Sequence, residues 1–530
     1  MSDIAALVAD NLDIWTGAIE RKSGAGRGGG GKRISLYGIE RLRALILDLA
    51  VRGKLVPQND GDEPAQVLFR RICLSNDHGL PKARFNIPAA WRWVKLGQIA
   101  TFRPGRTPSR KEGRFWGGDH SWVSIADMED GETLDQTAET ISDLATRSVF
   151  RNDPSPVGSI LMSFKLTIGK ISRLAIPAYH NEAIVTVSPS VADLDPFLFL
   201  VLPSCARAGI SRNAIKGATL NSKSIFEISI PLPPLAEQRR IVAKVDELMA
   251  LCDALEQESA HALGAHQVLV ETILASLVNS SDAADLSANW TKLESHFDTL
   301  FTTEASIDAL KQTILDLAVR GKLVEQDAVN WPVEPLGNYV RDAAAGWSPK
   351  CIETPRSGDN WGVLKVSAVT WGRFQPEENK ELPYALEPRP EIEVAPGDFL
   401  ISRANTAELV ARSVVVPFNA PRKLMMSDKI IRFRFNDEVA PDYINLVHAS
   451  PFARAYYARV AGGTSSSMKN VSQSQIRALE IPIPPLAEQH RIVAKVDEIM
   501  VLCDALKARL ADAAETCRHL ADAVVERAAA

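Results

Sequence analysis

Two segments of the chain occur twice, and the two repeats have different offsets. Residues 230–255 read IPLPPLAEQRRIVAKVDELMALCDAL and recur at 481–506 with 22 of 26 identities, at an offset of 251. Residues 39–56 read IERLRALILDLAVRGKLV and recur at 307–324 with 13 of 18 identities, at an offset of 268. We call the first repeat segment A and the second segment B. Along the chain the order is B, a variable stretch, A, B, a second variable stretch, A, so two nearly identical frames hold different contents.

Both segments predict helices. Segment A opens on a Pro-x-Pro-Pro-Leu sequence suited to a first helical turn, and its second copy carries an a/d seam of about five heptads. That seam is Ile492, Val496, Ile499, Cys503, Leu506, Leu510, Ala513, Cys517, Leu520 and Val524. We expect coiled-coil helices over 486–527 and, from the first copy, through about Leu277. Segment B predicts helices over 39–52 and about 293–321, each ended by a glycine, with a turn at 279–291.

The order of the segments predicts how the ends of the chain meet. The first B has no A before it, and the last A has no B after it. If these ends pack together, they rebuild a copy of the central helical hairpin. We therefore expect an α+β protein with two globular mixed α/β domains separated by long antiparallel coiled-coil helices, in a pseudo-twofold circular arrangement.

The variable stretches carry short strand-like runs broken by Gly, Pro, Asn and Asp. The predicted domains are an N-terminal helical region (1–87, with a Gly-rich linker at 23–32), a first domain (88–230), a central helical spacer (231–329), a second domain (330–480) and a C-terminal helical region (481–530). The two variable stretches, 88–229 and 331–480, carry net charges of +2 and +1, although the whole chain is at −5. This difference allows basic grooves on the variable domains and favours protein contacts for the frame.

Composition and cysteine usage predict a cytoplasmic protein. No apolar run of about 18 residues is apparent, and the start of the chain does not resemble a secretion signal. The six cysteines form no CxxC pair, and two of them, Cys252 and Cys503, occupy the same position of segment A. They are interpreted as small buried residues in a reducing compartment.

No motif for covalent chemistry is recognisable. The sequence holds no Gly-x-Ser-x-Gly, no His-Glu-x-x-His and no Asn/Asp-Pro-Pro-aromatic methyltransferase signature. Gly26, Gly31 and Lys32 fit part of a phosphate-loop pattern, but Arg33 replaces the metal-binding Ser/Thr, so a flexible linker is favoured. We expect a chain without catalytic residues, metal or cofactor of its own.

Polar, Gly-punctuated loops in both variable stretches carry the side chains that contact phosphates and base edges in nucleic acids. For any single loop the alternative is ordinary solvated surface, and it is their clustering in two paired domains that favours binding. The candidate DNA-binding residues are Arg106, Thr107, Ser109, Arg110, Lys111, Ser163, Lys165, Thr167, Lys216, Asn221, Lys223, Arg403, Asn405, Thr406, Thr464, Ser465, Ser466 and Lys469.

The seam residues of the A helices are assigned to packing within the chain, and the outward faces of the same helices to a partner. The candidate partner-binding residues are Glu237, Gln238, Arg240, Lys244, Glu488, Gln489, Arg491 and Lys495. A coiled-coil scaffold without DNA specificity is the alternative function.

With these residues in view, the chain resembles the specificity subunits of type I restriction-modification enzymes. The duplicated PPLAEQ and LDLAVRGKLV segments carry the resemblance, together with three runs in the first variable stretch (105–128, 163–170 and 180–187) and one in the second (397–410). The Gly-rich insertion near 23–32 departs from the family's pattern.

The resemblance implies two target recognition domains, each reading one half of a bipartite double-stranded DNA sequence. It implies helices that set the gap between the halves and dock two modification (methyltransferase) subunits, and restriction subunits that join this core and cleave DNA with ATP. The chain is then a non-catalytic subunit of a restriction endonuclease and adenine-N6 DNA methyltransferase complex. S-adenosylmethionine, ATP and Mg²⁺ are expected on the partner subunits.

Overall fold

The computed structural model describes residues 4–22, 33–74, 79–208, 216–324, 331–370, 372–465 and 468–529. The chain forms two compact units: unit 1 comprises Met1–Ala260 with Ala514–Ala530, and unit 2 comprises His261–Ala513. The predicted Gly-rich linker at 23–32, with the partial phosphate-loop pattern inside it, lies outside the described residues.

Unit 1 combines helices from both ends of the chain with a mixed set of strands. Its helices are α1 (Ile4–Asp10), α2 (Leu12–Gly17), α3 (Tyr37–Arg52), α4 (Ala65–Ile72), α5 (Leu96–Ile99), α6 (Asp143–Val149), α7 (Asp195–Arg207), α8 (Ser222–Phe226) and the first part of α9 (Leu235–Val278). Its strands are β1 (Glu20–Lys22), β2 (Arg33–Ser35), β3 (Arg92–Lys95), β4 (Ala100–Pro104), β5 (Trp116–Val123), β6 (Glu132–Leu134), β7 (Glu139–Ile141), β8 (Ile160–Ser163), β9 (Lys165–Thr167), β10 (Ile171–Leu174), β11 (Ala178–His180), β12 (Ile184–Pro189), β13 (Lys216–Thr219) and β14 (Ser229–Leu232).

Unit 2 repeats this plan. Its helices are the rest of α9, then α10 (Ala283–Ser295), α11 (Phe297–Leu300), α12 (Glu304–Val319), α13 (Pro441–Ala449), α14 (Pro451–Val460), α15 (Gln473–Arg477) and most of α16 (Leu486–Ala529), whose last residues belong to unit 1. Its strands are β15 (Val333–Pro335), β16 (Val340–Ala345), β17 (Gly362–Leu364), β18 (Asn379–Glu381), β19 (Phe399–Ser402), β20 (Ala404–Asn405), β21 (Ser413–Val415), β22 (Leu424–Met425), β23 (Ile430–Phe435), β24 (Gly462–Ser465), β25 (Met468–Asn470) and β26 (Glu480–Pro482).

The sheets of the two units correspond. Unit 1 has a five-stranded sheet in the order β4-β12-β8-β10-β6, and unit 2 has a four-stranded sheet in the order β16-β23-β19-β21. A three-stranded sheet accompanies each, β11-β5-β7 in unit 1 and β18-β17-β22 in unit 2. The strand at the start of each segment A, β14 or β26, pairs antiparallel with the first strand after the preceding segment B, β3 or β15. The expected mixed α/β domains with long helices are confirmed.

The helices of segments A and B begin and end close to where the sequence predicts, except that the helix predicted over about 293–321 begins only at Glu304, as α12, with α10 and α11 before it. Segment B gives α3 and α12, and a glycine with positive φ follows each of them, Gly53 at 70° and Gly321 at 70°. Segment A gives α9 and α16, which are both 44 residues long. Glycine is favoured at these ends because it adopts the left-handed conformation without a Cβ clash.

Equivalent contacts join segments A and B in each unit. In unit 1 Arg43 pairs with Asp253 at 2.7 Å, and in unit 2 Lys311 pairs with Asp504. These residues are related by the offsets of 268 in segment B and 251 in segment A. The two copies of the frame therefore pack through the same positions.

A lysine of segment B caps the end of a long helix in each unit. In unit 1 Lys54 Nζ donates to the carbonyl oxygen of Ala529 at 3.0 Å, and in unit 2 Lys322 Nζ donates to that of Val278 at 2.7 Å. A cation at a helix C-terminus satisfies unpaired carbonyls and opposes the helix dipole. Within unit 1, the N-terminal B helix and the end of the C-terminal A helix therefore pack together, as the order of the segments predicts.

Two further details of the helical prediction are wrong. The predicted turn at 279–291 is largely the helix α10, because Asp282 accepts a hydrogen bond from the amide of Asp285 and caps a new helix. In α16 Leu520 is 46% exposed, whereas Ala521 and Val525 are buried. The seam moves by one position because a straight α-helix drifts from a strict seven-residue repeat.

One helix, Leu235–Val278, is long and apolar enough to cross a membrane by length and composition. A single such helix is weak support for a membrane span, since core helices pass the same test. Val270, Leu274 and Leu277 of this helix are buried in the core of unit 2.

Candidate nucleic-acid interface

In unit 1, two of the predicted polar loops form one antiparallel ribbon. Strand β9 pairs with β13, with Lys216 opposite Thr167 and Thr219 opposite Lys165. We call these two strands ribbon 1. The fold thus brings together candidate residues that lie far apart in the sequence.

The third predicted loop of unit 1, residues 105–111, reaches the same segment as ribbon 1. The amide of Arg106 donates to His180 O at 2.8 Å, and the amide of Phe164 donates to Ala183 O at 2.9 Å. Gly105 donates to Ile184 O at 3.1 Å. The segment 180–184 therefore anchors both the loop and the ribbon through backbone hydrogen bonds.

Unit 2 builds the same arrangement from different side chains. Strands β20, β25 and β24 form ribbon 2, in which Asn405 lies opposite Lys469. The amide of Arg403 donates to Lys429 O at 2.9 Å, and that of Trp347 donates to Met426 O at 2.9 Å. The segment 426–430 thus anchors these parts of unit 2 through backbone hydrogen bonds, as the segment 180–184 does in unit 1.

The loop Gly346–Lys350 is a part of unit 2 that sequence reasoning missed. It corresponds to the loop at 105–111: a Cβ on Gly105 would lie 1.9 Å from His180 O, and one on Gly346 would lie 2.2 Å from Met426 O. The hydroxyl groups at the equivalent positions also make equivalent hydrogen bonds to carboxylates. Thr107 donates to Glu182, and Ser348 donates to Asp428. The shared Gly-x-Thr/Ser-Pro sequence was the signal that could have revealed it.

Several predicted DNA-binding residues present exposed side chains on these loops and beside the ribbons. They are Arg106, Ser109, Lys111, Lys223 and Arg403. Lys165, Thr167 and Thr406 are half-buried. Guanidinium, ammonium and hydroxyl groups in such positions can donate to phosphate or base-edge acceptors.

Other predicted residues are engaged within their own unit. Arg110 stacks on the ring of Trp116 at 3.9 Å and pairs with Glu139, which raises the pKa of Arg110. Lys469 Nζ donates to Gly463 O at 2.6 Å, and Asn221 caps α8 through the amide of Ser224. These contacts fix the shape of the loops.

The prediction for Ser163 is wrong. Its side chain is fully buried, and its hydroxyl donates to the carbonyl of Thr167 and accepts from the amide of Lys170. A hydroxyl satisfied inside its own loop cannot reach a ligand. Lys216, Thr464 and Ser465 are placed by the backbone pairing of their strands, and Ser466 lies outside the described residues.

Beside the loop of unit 1 lies a cavity of about 350 Å³. Among its lining residues are Arg103, Arg106, Arg151, Asn152 and Tyr179, which suit an anionic or aromatic group. Burial lowers the pKa of the adjoining His180 to about 4, and its Nε2 lies 2.8 Å from the hydroxyl of Thr186. The neutral His180 thus packs beside the loop and helps to hold it in place. Among the described residues, no group of three His, Cys, Asp or Glu side chains could hold a metal ion.

Four of the predicted partner-binding residues do not lie on an outward face. Glu237, Gln238, Glu488 and Gln489 are at most 1% exposed. Glu237 accepts from Trp91 Nε1 at 2.9 Å and from Gln58 Nε2 at 2.5 Å. The prediction is wrong because the PPLAEQ sequence packs against its own unit.

The two glutamines show this internal role in both copies. Gln238 Nε2 donates to Pro233 O at 2.9 Å, and Gln489 Nε2 donates to Pro484 O at 2.9 Å. Each glutamine therefore ties the start of its long helix to the proline turn before it.

The remaining predicted partner-binding residues differ from one another. Arg240 pairs with Asp62 at 2.6 Å within unit 1. Lys244 pairs with Glu247, and its equivalent Lys495 pairs with Glu498; Lys244 is half-buried, and the other three side chains are exposed. Arg491 is exposed and interacts with other residues of the protein. Partner binding by these four residues stays a prediction.

Two units of one plan, each presenting a polar ribbon and loop, define a protein with two binding surfaces. The family model for the type I restriction modification DNA specificity domain matches residues 88–263 and 393–516. The chain is 35% identical to the EcoEI specificity subunit of Escherichia coli, over 99% of each chain, and 30% identical to the EcoAI specificity subunit of Escherichia coli, also over 99% of each. The chain belongs to the family of type I restriction-modification specificity subunits.

A solved structure shows a similar fold. It comes from work on complex assembly and conformational transition of the type I R-M system, with a TM-score of 0.50 and 18% identity over 84% of this chain and 99% of that one.

Proposed function

We propose that the chain recognises DNA through two readers, and that each unit reads one half of a bipartite double-stranded target. The observation that carries this proposal is the repetition of one ribbon-and-loop plan with different side chains on it. Arg106 of the unit 1 loop corresponds to the half-buried Trp347 of unit 2, and Ser109 corresponds to Lys350. Two readers of one plan but different chemistry favour two different half-sites.

The chain is proposed to act without catalytic residues of its own. Adenine-N6 methylation would come from two docked modification subunits, and ATP-dependent cleavage from restriction subunits. S-adenosylmethionine, ATP and Mg²⁺ would be held by those subunits. The buried, neutral His180 and the internally bonded Ser163 support this reading, because neither is available as a base or a nucleophile.

An exchange of one recognition domain tests the two-reader proposal. Residues 331–480 are replaced by the corresponding domain of another specificity subunit, and methylated adenines are mapped by single-molecule sequencing of host DNA. We expect one half of the methylated sequence to change and the other to stay. A change in both halves, or in neither, contradicts the proposal, and methylation by this chain alone contradicts the non-catalytic role.

For partner docking we propose exposed positions on the two long helices. Leu251 and Leu502 are equivalent, and so are Leu269 and Leu520; their exposed fractions run from 41% to 63%. Exposed leucines at equivalent positions of two copies offer two identical partners the same contacts. The Lys244–Glu247 and Lys495–Glu498 pairs lie on the same helices.

Substitutions at one pair of positions test this docking surface. Leu251→Asp alone should reduce the stoichiometry with the modification subunit from two copies to one, and Leu251→Asp with Leu502→Asp should abolish binding. Mass spectrometry of the intact complex gives the stoichiometry. A matched control is Val333→Asp, since Val333 is 61% exposed but lies in strand β15 and not on either long helix. Two bound copies in the double variant would contradict this placement.

A further inference from the structure

Next to ribbon 2, two arginines of unit 2 lie close together. Arg412 closes the loop that begins at Ser402: the amide of Ser402 donates to Arg412 O at 2.8 Å, and the amide of Arg412 donates to Ser402 Oγ at 3.2 Å. Arg454, in α14, donates from Nη2 to Glu408 O in the same loop at 3.1 Å. Both side chains are half-buried.

The two guanidinium groups repel each other. Burial and then the neighbouring Arg412 cation lower the pKa of Arg454 to about 10, and burial lowers the pKa of Arg412. The charge of the Glu408 carboxylate acts in the opposite sense on Arg412 and raises its pKa, but less than burial lowers it. Arg454 Nη1 is buried without an acceptor. Such a donor costs free energy unless an acceptor reaches it.

Unit 1 has the same loop, and there the cation is neutralised. The amide of Ser163 donates to Lys170 O at 2.8 Å, as Ser402 does to Arg412. Arg207, near the end of α7, donates from Nη2 to Gly169 O at 2.8 Å, as Arg454 does to the loop of unit 2. In addition, Arg207 pairs with Asp130.

The carboxylate of unit 1 has no counterpart in the sequence of unit 2. Asp130 precedes Gly131, which has a φ of 86°. The corresponding glycine of unit 2 is Gly372, with a φ of 78°. In the sequence Gly372 is preceded by Trp371, which lies outside the described residues, and followed by Arg373. Unit 2 therefore has a tryptophan at the position where unit 1 has Asp130.

We propose that Arg412 and Arg454 together bind one backbone phosphate of DNA at unit 2, a contact that unit 1 replaces with its own Asp130. This inference rests on the proposed function. A phosphodiester fits because its two charged oxygens accept several hydrogen bonds at once, which the planar guanidinium fork matches. The site also adjoins Arg403 and Asn405 of ribbon 2, which are candidates for contact with the same duplex.

The salt dependence of DNA binding tests the phosphate contact. A fluorescent duplex of mixed sequence is titrated with the full chain at several salt concentrations, and the logarithm of the association constant is plotted against that of the salt concentration. Each lost phosphate contact makes the slope shallower by about 0.9. We expect that change for Arg412→Gln with Arg454→Gln, and for Arg412→Gln alone, which keeps the Arg454–Glu408 bond.

Two control variants separate phosphate binding from a structural role. Arg412→Lys with Arg454→Lys should keep the wild-type slope, because each lysine retains its charge. Arg207→Gln should also keep it, because Asp130 already neutralises that arginine in unit 1. A wild-type slope in both glutamine variants overturns the inference while leaving the proposed function in place. Absence of salt-dependent binding by the wild-type chain overturns both.

A free anion is the other source of the same chemistry. The melting temperature of the wild-type chain and of the double glutamine variant is measured with inorganic phosphate at constant ionic strength. If phosphate stabilises only the wild-type chain while the DNA slopes are equal, the arginines hold a free anion and the inference is overturned.

Discussion

At the recognition loop of each unit an arginine stacks on a tryptophan ring, but the loop supplies the arginine in unit 1 and the tryptophan in unit 2. In unit 1 the loop supplies Arg110, whose guanidinium lies 3.9 Å from the ring of Trp116 in the neighbouring sheet. In unit 2 the loop supplies the ring, Trp347, and Arg389 from another segment lies over it at 4.1 Å. Cation–π stacking thus holds both loops in place, although the stacking residues stand at different positions of the two loops.

This difference shows which features of the recognition loops are the same in both units. Loop position depends on backbone bonds to the segments 180–184 and 426–430 and on the glycines that let the chains approach. Side chains between these anchors differ at some positions, such as Arg106 and its counterpart Trp347. The frame shows the opposite behaviour, because Lys54 and Lys322 keep both their identity and their contact.

The largest effect is expected where a glycine permits the close approach. Gly105→Ala and Gly346→Ala should each destabilise their own unit by about 3 kcal/mol, since the new Cβ would overlap a backbone carbonyl. Urea unfolding of the full chain, followed by fluorescence, measures the loss. Gly113→Ala is the matched control, because a Cβ there would meet nothing within 4 Å. Equal stability of the three variants would show that the loops are not anchored in this way.

A smaller effect is expected from acid. Among the described residues each unit buries one histidine, and burial lowers the pKa of His180 to about 4 and that of His448 to about 3. The unfolded chain binds their protons near pH 6.5, so the free energy of unfolding falls as pH falls from about 6.5 towards 4, by up to about 1.4 kcal/mol per histidine and pH unit. Urea midpoints at about pH 7, 6 and 5 measure this slope.

Substitution of one histidine identifies its share of the pH dependence. His180→Gln should flatten the slope for unit 1 and leave that of unit 2. A slope that does not change would place its origin in other groups.

The smallest effect is expected at the tryptophans that open the two recognition domains. Trp91→Phe leaves the buried Glu237 without one of its donors and should cost about 1.5 kcal/mol. Trp331→Phe should cost less, because Trp331 Nε1 has no acceptor among the described residues. Urea unfolding of both variants compares the units directly, and equal losses would indicate that unit 2 also pairs its buried glutamate, Glu488, with the indole.

The sequence predicts the helical frame well because its signals are local. A heptad seam, a proline turn and a terminal glycine each act within a few residues, so α3 and α16 end near the predicted positions. The helix α10 was missed because a polar sequence was interpreted as a turn, although Asp282 can cap a helix within it.

The candidate site is predicted less completely. The polar loops do converge on ribbons 1 and 2, but the burial of Ser163 and Glu237 depends on tertiary packing that no local pattern reports. Near-identity between two copies of a segment can have two causes: packing inside each unit, or docking of the same partner on both copies. In Glu237 and Gln238 it reflects packing inside each unit, where a docking role was expected.

The backbone anchoring of the recognition loops has a consequence for how such proteins diversify. Amide-to-carbonyl bonds such as Arg106 to His180 and Trp347 to Met426 do not depend on which side chain the residue carries. A lineage can therefore exchange the residues that meet a ligand through single substitutions, without passing through misfolded intermediates. Recognition can drift quickly on such a surface, while the helices that carry it are held almost constant.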